Sequence, residues 1–441
     1  MDAIRRAYGS SPSSASPSSD SEGDSLNHGD HGDHLPVRSA VAGVTVIAQS
    51  LERPTYSTTR RSRPLLLDDD QAFNFRAYQS KRRQIDATDR IRQPDNEENA
   101  ANGVKLLRVR QFPLHTKAVR SLQWSARFPQ LFLSAAADGS VRVWHIDEPS
   151  ATRRDLQHHS KGVASAKWSL DGRRVLSGGF DGLALVTDVE TSDIVHRIST
   201  GANDPVTTVS MHPTDPNWVA LGVGINRGAV HCMDLRQPQD RPAFVLKRGF
   251  AHVHDLLFLD TGDRLVSSAG LGGRDASNQT LLVWDFRAGT LLADRLDDDL
   301  HAFSSLRLHP RRPIFAAQCT ANYAALFSTV APFKRLKAKH ASPGQPRRSA
   351  SFSGGHEVGG FPVQCSFRSD GAVFASGDAA GCVVLYGADS AKRPVLNRLQ
   401  LYDARTPCLA AEFHPAGGEY SRLMLAGSNN GAIELLECCN R

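Results

Sequence analysis

No apolar run in this 441-residue chain approaches the ~20 residues that a helix needs to cross a bilayer. A helical membrane protein is therefore not expected. The N-terminus, MDAIRRAYGSSPSS, lacks the apolar stretch of a signal peptide. Cysteine is sparse: seven residues, no C-x-x-C, and one adjacent pair, Cys438-Cys439. That pattern reads as free thiols in a reducing compartment. Aromatic residues make up 7%, and no RNP1-like stacking motif is present, so RNA recognition is not indicated by composition alone. There is no H-E-x-x-H, no paired-carboxylate cleft and no Gly-rich phosphate loop. The run GLGG (270–273) lies in an expanded hairpin and does not precede a helix. Long helical periodicity is absent as well.

What is present suits a globular protein with a substantial core: 40% apolar and 22% charged residues. A net charge of +6 and a pI near 9.0 permit contact with RNA or acidic proteins without demanding it. Residues 1–70 are expected to be disordered, because Ser, Pro, Gly, Asp and His dominate the first forty and bury too little apolar surface to offset the entropy of ordering. Within them NHGDHGDH sets His28, Asp30, His31, Asp33 and His34 close together. These are metal-ligand types, but nothing nearby would order the backbone around an ion, so a solvated linker is the reading. Residues 71–103 read as a basic arm, YQSKRRQ (78–84), followed by a polar linker, QPDNEENAANG (93–103). A second basic cluster, RRSRP (60–64), precedes them. Nuclear import or RNA contact is one reading of such clusters and simple solvation the other.

From residue 104 short apolar runs alternate with Gly, Asp and Asn turns, the pattern of an all-β domain. The runs repeat. FLSAAADGSVRVWH (132–145) and VLSGGFDGLALVTD (175–188) share an apolar-apolar-Ser start, an Asp-Gly turn and a second alternating run. Five weaker copies follow, and Trp144, Thr187, Met233, Trp284, Phe327, Tyr386 and Leu436 occupy one equivalent position. The intervals run from 43 to 59 residues, at or above the ~40–45 of a propeller blade. Each copy has an earlier strand, such as VRSLQWS, VASAKWS, SSLRLHP and LAAEFHP. The spacing predicts a seven-bladed β-propeller over 104–441, each blade a four-stranded sheet. The last copy ends too near the C-terminus to supply its own outer strand, so VKLLRVRQF (104–112) is expected to fill that place and close the ring.

His115, Ser134 and Asp138 have the composition of a nucleophile triad, and His159, Ser177 and Asp181 repeat it. His252 and Ser267 repeat part of it without the matching Asp. A catalytic site is not normally copied blade by blade. The expectation is a buried hydrogen-bond network in each blade, completed in the first by Trp144. No catalytic residue, cofactor, metal or small-molecule substrate is implied.

These motifs resemble the WD40-repeat family. GRRVLSGGFDGLALVTDVET, TLLVWDFR, NYAALFSTVAPFK and GGHEVGGFPVQCSFRSDGAVFASGD resemble a WD40 group that includes a pre-mRNA splicing factor. The resemblance covers most of 104–441 and fades in 334–355. It implies a non-catalytic scaffold in the nucleus, or else in the cytoplasm, that works with proteins of the spliceosome. A competing implication rests on LLVWDFR: Trp284, Asp285 and Arg287 fit the Trp-Asp-x-Arg box by which substrate receptors meet the adaptor of cullin-4 ubiquitin ligases. Asp234 and Arg236 form a weaker Asp-x-Arg. Finally, FKRLKAKHASPGQPRRSASFSGG (333–355) carries Lys334, Arg335, Lys337, Lys339, Arg347 and Arg348 with no acidic residue. It is expected to be a mobile loop beyond its start, either solubilising or touching RNA phosphates or an acidic partner. Ser349 and Ser351 are candidate phosphorylation sites beside the arginines.

Overall fold

The computed structural model describes residues 104–440, apart from 149–151, 202–203, 226, 239–240, 260, 272–280, 295, 297–300, 337–350, 354 and 389–394. The disordered region 1–70, the basic arm 71–103 and the His/Asp cluster expected in the sequence lie outside them.

The described residues are β-strands and turns, with one short 3-10 turn at Gly418–Arg422 and no α-helix. Every sheet is antiparallel, and all but the one that holds Val104–Phe112 are meanders. The first contains Val119–Trp124, Leu131–Ala136, Val141–His145 and Arg154–Leu156. The second contains Val163–Trp168, Arg174–Gly179, Leu183–Asp188 and Ile194–Ser199. Two further four-stranded sheets begin at Phe303 and at Cys365. Taken in turn, the first strands of the units touch their successors around a common axis, and Cys408–Phe413 returns to touch Val119–Trp124. The fold is an all-β propeller.

Burial follows from that stacking. Middle strands have a sheet on each face, so Leu131–Ala136 and Cys382–Gly387 are buried throughout, and their sequences are continuously apolar or small. Outer strands meet solvent, and Ile194–Ser199 is largely exposed. Tight turns between second and third strands need left-handed residues. Gly182 has φ +75°, and a Cβ there would lie 2.1 Å from the Gly201 carbonyl oxygen, so only glycine fits.

Seven separate four-stranded blades, the pattern predicted from the spacing, are not what the structure contains. It contains five four-stranded sheets and one seven-stranded sheet running from Val206–Met211 to Thr290–Ala293. The cause is the strand Phe244–Leu259, which continues without a break. Phe244, Val245, Leu246 and Phe250 pair with Gly228–Asp234, and Phe250–Leu259 pair with Arg264–Leu271. FVLKRGFAHVHDLLFL has no proline, and its one glycine, Gly249, is left-handed at φ +71° with open space around it. Hydrogen bonding therefore passes through the place where a turn between sheets was expected.

The remaining four-stranded sheet joins the two ends of the described chain. Val104–Phe112 pairs antiparallel with Ile433–Asn440, from Val104 opposite Asn440 to Phe112 opposite Ile433, with a bulge between Arg108 and Arg110. Arg108 ion-pairs with Glu434 at 2.5 Å, and Arg110 donates to the Ile146 carbonyl of the first sheet. Phe112 packs edge-on against Phe132 and Trp144 of that sheet at 4.9 and 5.6 Å. A second tie comes from His414: its Nε2 donates to the Pro129 carbonyl oxygen at 2.9 Å, and its ring lies 4.5 Å from Trp124.

Candidate functional site

The side chains that look catalytic in the sequence do converge. His115 Nδ1 meets Asp138 Oδ2 at 3.0 Å, and its Nε2 meets Ser134 Oγ at 2.7 Å. Ser134 Oγ accepts a third contact from Trp144 Nε1 at 2.8 Å. In the second sheet His159 Nδ1 lies 3.1 Å from both Asp181 oxygens, and its Nε2 lies 2.9 Å from Ser177 Oγ. The distances are those of a triad, but the surroundings are not. Ser134 and His115 are 0% and 1% exposed, so no substrate carbonyl reaches the hydroxyl. The aspartates instead anchor the turns: Thr116 N and Ser140 N donate to Asp138, and Ser160 N and Leu183 N donate to Asp181.

The electrostatics match a structural role. Burial alone would raise the Asp138 carboxyl, but hydrogen bonds from His115 and Ser140 outweigh it and hold the group well below the usual carboxylate range. Burial lowers His159 despite the attraction of Asp181. Asp138→Ala and Asp181→Ala each strand a histidine and two backbone amides. Each is expected to cost roughly 1–3 kcal/mol in urea unfolding, with partner binding by the remaining folded protein unchanged. A loss of binding at full foldedness would show that these residues face a ligand.

The partial copy resolves differently. Ser267 Oγ accepts from Trp284 Nε1 at 2.9 Å, and the His252 ring lies 4.7 Å from the His254 ring. Trp284 is 4% exposed and belongs to the core, which corrects its reading as a partner contact. Asp285 caps the Ala288 amide at 2.8 Å. Arg287 alone of the box is at the surface, 84% exposed and 2.9 Å from Asp263. Arg236 closes back on Asp234 through two 2.9 Å bonds. In the basic segment, Lys334 is exposed, while Arg335 bridges to Phe327 and stacks its guanidinium 5.0 Å from the Tyr323 ring. Ser351–Ser353 forms an outer strand against Tyr323–Ser328, so Ser351 is part of a sheet and not of a loop. Ser349, Lys337, Lys339, Arg347 and Arg348 lie outside the described residues.

Two buried groups escaped the sequence. One is a third network: His356 Nδ1 meets the Tyr386 hydroxyl at 2.6 Å, its Nε2 meets Gln318 Nε2 at 2.8 Å, and Ser376 donates to Gln318 Oε1 at 3.2 Å. Asp378 accepts from the Glu357 amide at 3.2 Å and from Arg398 at 2.7 Å. Here the Asp sits two residues after the Ser, not four, which hid the likeness.

The other is a charged cluster on the propeller axis. Arg307 Nη1 lies 3.4 Å from Asp255 Oδ2, and Arg307 Nε lies 3.7 Å from Glu412 Oε2. Asp255 also accepts from Leu306 N and Leu256 N at 2.8 and 2.9 Å. Burial raises the Glu412 carboxyl against the pull of Arg307 and Lys167. Burial and then Arg307 push the Lys167 ammonium down to about 8. Three of the four stand at one repeat position: AKW, LRL and AEF place Lys167, Arg307 and Glu412 in the same column. Aligning the first strands by column, instead of seeking local motifs, is the signal that finds them.

Among the described residues no group of three or more His, Cys, Asp or Glu side chains is arranged to hold a metal ion. No helix of the described residues is long and apolar enough to cross a membrane.

Comparison with known proteins agrees with this geometry. The family model for the WD domain, G-beta repeat, matches residues 106–145 and 150–188. WD repeat-containing protein 25 of Mus musculus is 31% identical over 68% of the chain and 52% of its own length. Pre-mRNA-processing factor 17 of Saccharomyces cerevisiae is 22% identical over 73% of the chain and 64% of its own length. Its namesake in Homo sapiens is 23% identical over 73% of the chain and 50% of its own length. The chain thus spans about half to two thirds of the length of these relatives. The β-propeller domain of Cps50 (Swd1) from Myceliophteria thermophila superposes with a TM-score of 0.58 at 15% identity, over 76% of the chain and 99% of that domain. That likeness shows the fold alone.

Proposed function

The chain is a WD40-repeat protein, and from that premise we propose that it is a non-catalytic scaffold that binds proteins of the pre-mRNA splicing machinery in the nucleus. The likeness to pre-mRNA-processing factor 17 across 73% of the chain carries this reading. The triad-like residues support it from the other side, because their hydroxyls are spent on histidine and indole within the core.

In this reading the seven-stranded sheet is two blades fused along Phe244–Leu259, and the ring has seven members. Its inner wall is then Val119–Trp124, Val163–Trp168, Val206–Met211, the second half of Phe244–Leu259, Phe303–Leu308, Cys365–Phe367 and Cys408–Phe413. Val104–Phe112 is the clasp of the last blade. A clasped ring is rigid, so it offers partners a fixed surface at little entropic cost. The basic arm and the 333–355 segment are the candidate contacts for RNA or acidic partners. The cullin-4 adaptor reading rests on Arg287 alone, which already pairs with Asp263, and none of the relatives named above is described as a ligase receptor.

The test is affinity purification of the full chain from nuclear extract, with and without ribonuclease. Splicing proteins are expected in both eluates. Their absence, or a cullin-4 adaptor recovered from wild type and lost in Arg287→Ala, would replace the scaffold reading.

A further inference from the structure

Between Leu300 and His356 the chain has nine Lys and Arg and no Asp or Glu, where its overall share of acidic residues would place about six. The described part of that stretch brings two turns, 310–313 and 329–334, to one face of the propeller. They touch: Thr329 N donates to the Pro313 carbonyl oxygen at 3.0 Å. The neighbouring seven-stranded sheet joins them through Arg264. Its Nη1 donates to the Thr329 carbonyl oxygen at 3.4 Å, and its guanidinium lies 5.4 Å from the Phe333 ring.

Both turns are held in shape. The buried His309 takes the Arg311 and Arg312 amides on Nδ1 at 3.1 and 3.0 Å. Phe333 N donates back to the Val330 carbonyl oxygen at 2.9 Å, and the Phe333 ring is anchored in the core. Ser328 Oγ donates to that same oxygen at 2.9 Å and accepts from Val330 N at 3.0 Å. A surface fixed in advance loses little entropy when a partner binds.

Toward solvent the face is apolar, with a cation on each turn. Pro310, Pro313, Val330 and Ala331 are exposed, as are Arg311 and Lys334. The carboxylates at its border already hold arginines. Asp263, next to Arg264, holds Arg287 at 2.9 Å, and Asp370, next to the Gly371 that packs on His309, holds Arg368 at 2.6 Å. A nucleic acid and an acidic protein segment both answer such a charge, and the apolar residues favour the protein. The one aromatic ring on the two turns, Phe333, is 4% exposed and offers no base a stacking surface, whereas Val330 is 55% exposed and fits an aliphatic side chain.

Resting on the scaffold reading, we propose that this face docks an acidic protein segment. Its carboxylates meet Arg311 and Lys334, and an aliphatic side chain between them covers Val330 and Pro313.

The test is fluorescence anisotropy on the full chain with labelled probes: a peptide with Leu between two runs of Glu, the same peptide with Gln for every Glu, the same with Gly for Leu, and an oligouridine. The Glu–Leu peptide is expected to bind tightest of the peptides, the Gly peptide more weakly and the Gln peptide not measurably. Arg311→Gln with Lys334→Gln is expected to weaken the Glu–Leu peptide about tenfold, and Val330→Ser about fivefold, at unchanged melting temperature because the side chains are exposed. The oligouridine is expected to bind wild type and double variant alike. Arg311→Glu with Lys334→Glu is expected to prefer a peptide with Lys for Glu, a gain that a misfolded protein does not produce. Equal binding of the Glu and Gln peptides, or a Glu–Leu peptide held as tightly by the double variant as by wild type, overturns the proposal. So does an oligouridine affinity that falls as far as the peptide's, which makes the face a nucleic-acid contact. The readout contains no splicing protein, so these failures are separate from a failure to recover splicing proteins from nuclear extract.

Discussion

A chain that begins at residue 115 is expected to aggregate or to melt far below one that begins at residue 100. The difference is the strand Val104–Phe112. Without it Ile433–Asn440 becomes an unpaired edge with a buried, apolar-rich sequence, which is a template for association. Leu106 and Phe112 leave the core, at about 1.5–3 kcal/mol each. Glu434 loses Arg108. Burial already raises that carboxyl to about 7 against the pull of Arg108, so removing the cation leaves a carboxyl with no ion pair. Phe112 also stops bridging to Phe132 and Trp144, so the first and last sheets lose a direct tie. The sum is on the order of the whole 5–15 kcal/mol that stabilises a domain. Sedimentation and thermal melts of the two chains provide the check. Equal solubility and equal melting temperatures would mean that the ring closes without this strand.

Arg307→Ala is expected to cost roughly 3–5 kcal/mol, because it leaves Asp255 and Glu412 enclosed without their cation. The cost belongs to the stranded charges and not to lost packing, which gives it a pH signature. With Arg307 gone, the Glu412 carboxyl, already raised by burial, rises further above its unfolded value. The folded state then binds more protons than the unfolded state as pH falls from neutrality toward the ordinary carboxylate range. The variant should therefore recover part of its deficit at pH 5 relative to pH 7. Urea midpoints of wild type and variant at the two pH values measure this. A deficit below about 1 kcal/mol, or one that does not shrink on acidification, would show that the cluster is solvated and carries little of the stability.

Local patterns were legible in the sequence, and so was the pairing of Val104–Phe112 with the last strand, but other long-range features were not. The Asp138-Gly139 and Asp181-Gly182 turns announce hairpins because only a few residues tolerate that backbone. His115 and His159 could be matched to their serines because the spacing repeats. The continuity of Phe244–Leu259 was hidden, since a strand that bends from one unit into the next looks, in sequence, like two strands with a short turn. The role of Trp284 was misread for a related reason: an indole beside a surface-type Asp-x-Arg is ambiguous until its Nε1 is seen on Ser267. Lys167, Asp255, Arg307 and Glu412 drew no reading from the sequence, because nothing local marks strand charges that meet across several sheets. The His356 network was concealed by a two-residue shift of its aspartate and by tyrosine in place of tryptophan.

The proposed role is that of a rigid, non-catalytic platform in splicing. The most direct measurement is the fraction of intron-containing transcripts in cells depleted of the protein and re-supplied with variants. Depletion is expected to raise that fraction. Wild type should restore it, Ser134→Ala should restore it to the extent that the protein folds, and the chain beginning at residue 115 should not. Unchanged splicing after full depletion would contradict the account, as would a folded Ser134→Ala protein that fails to rescue.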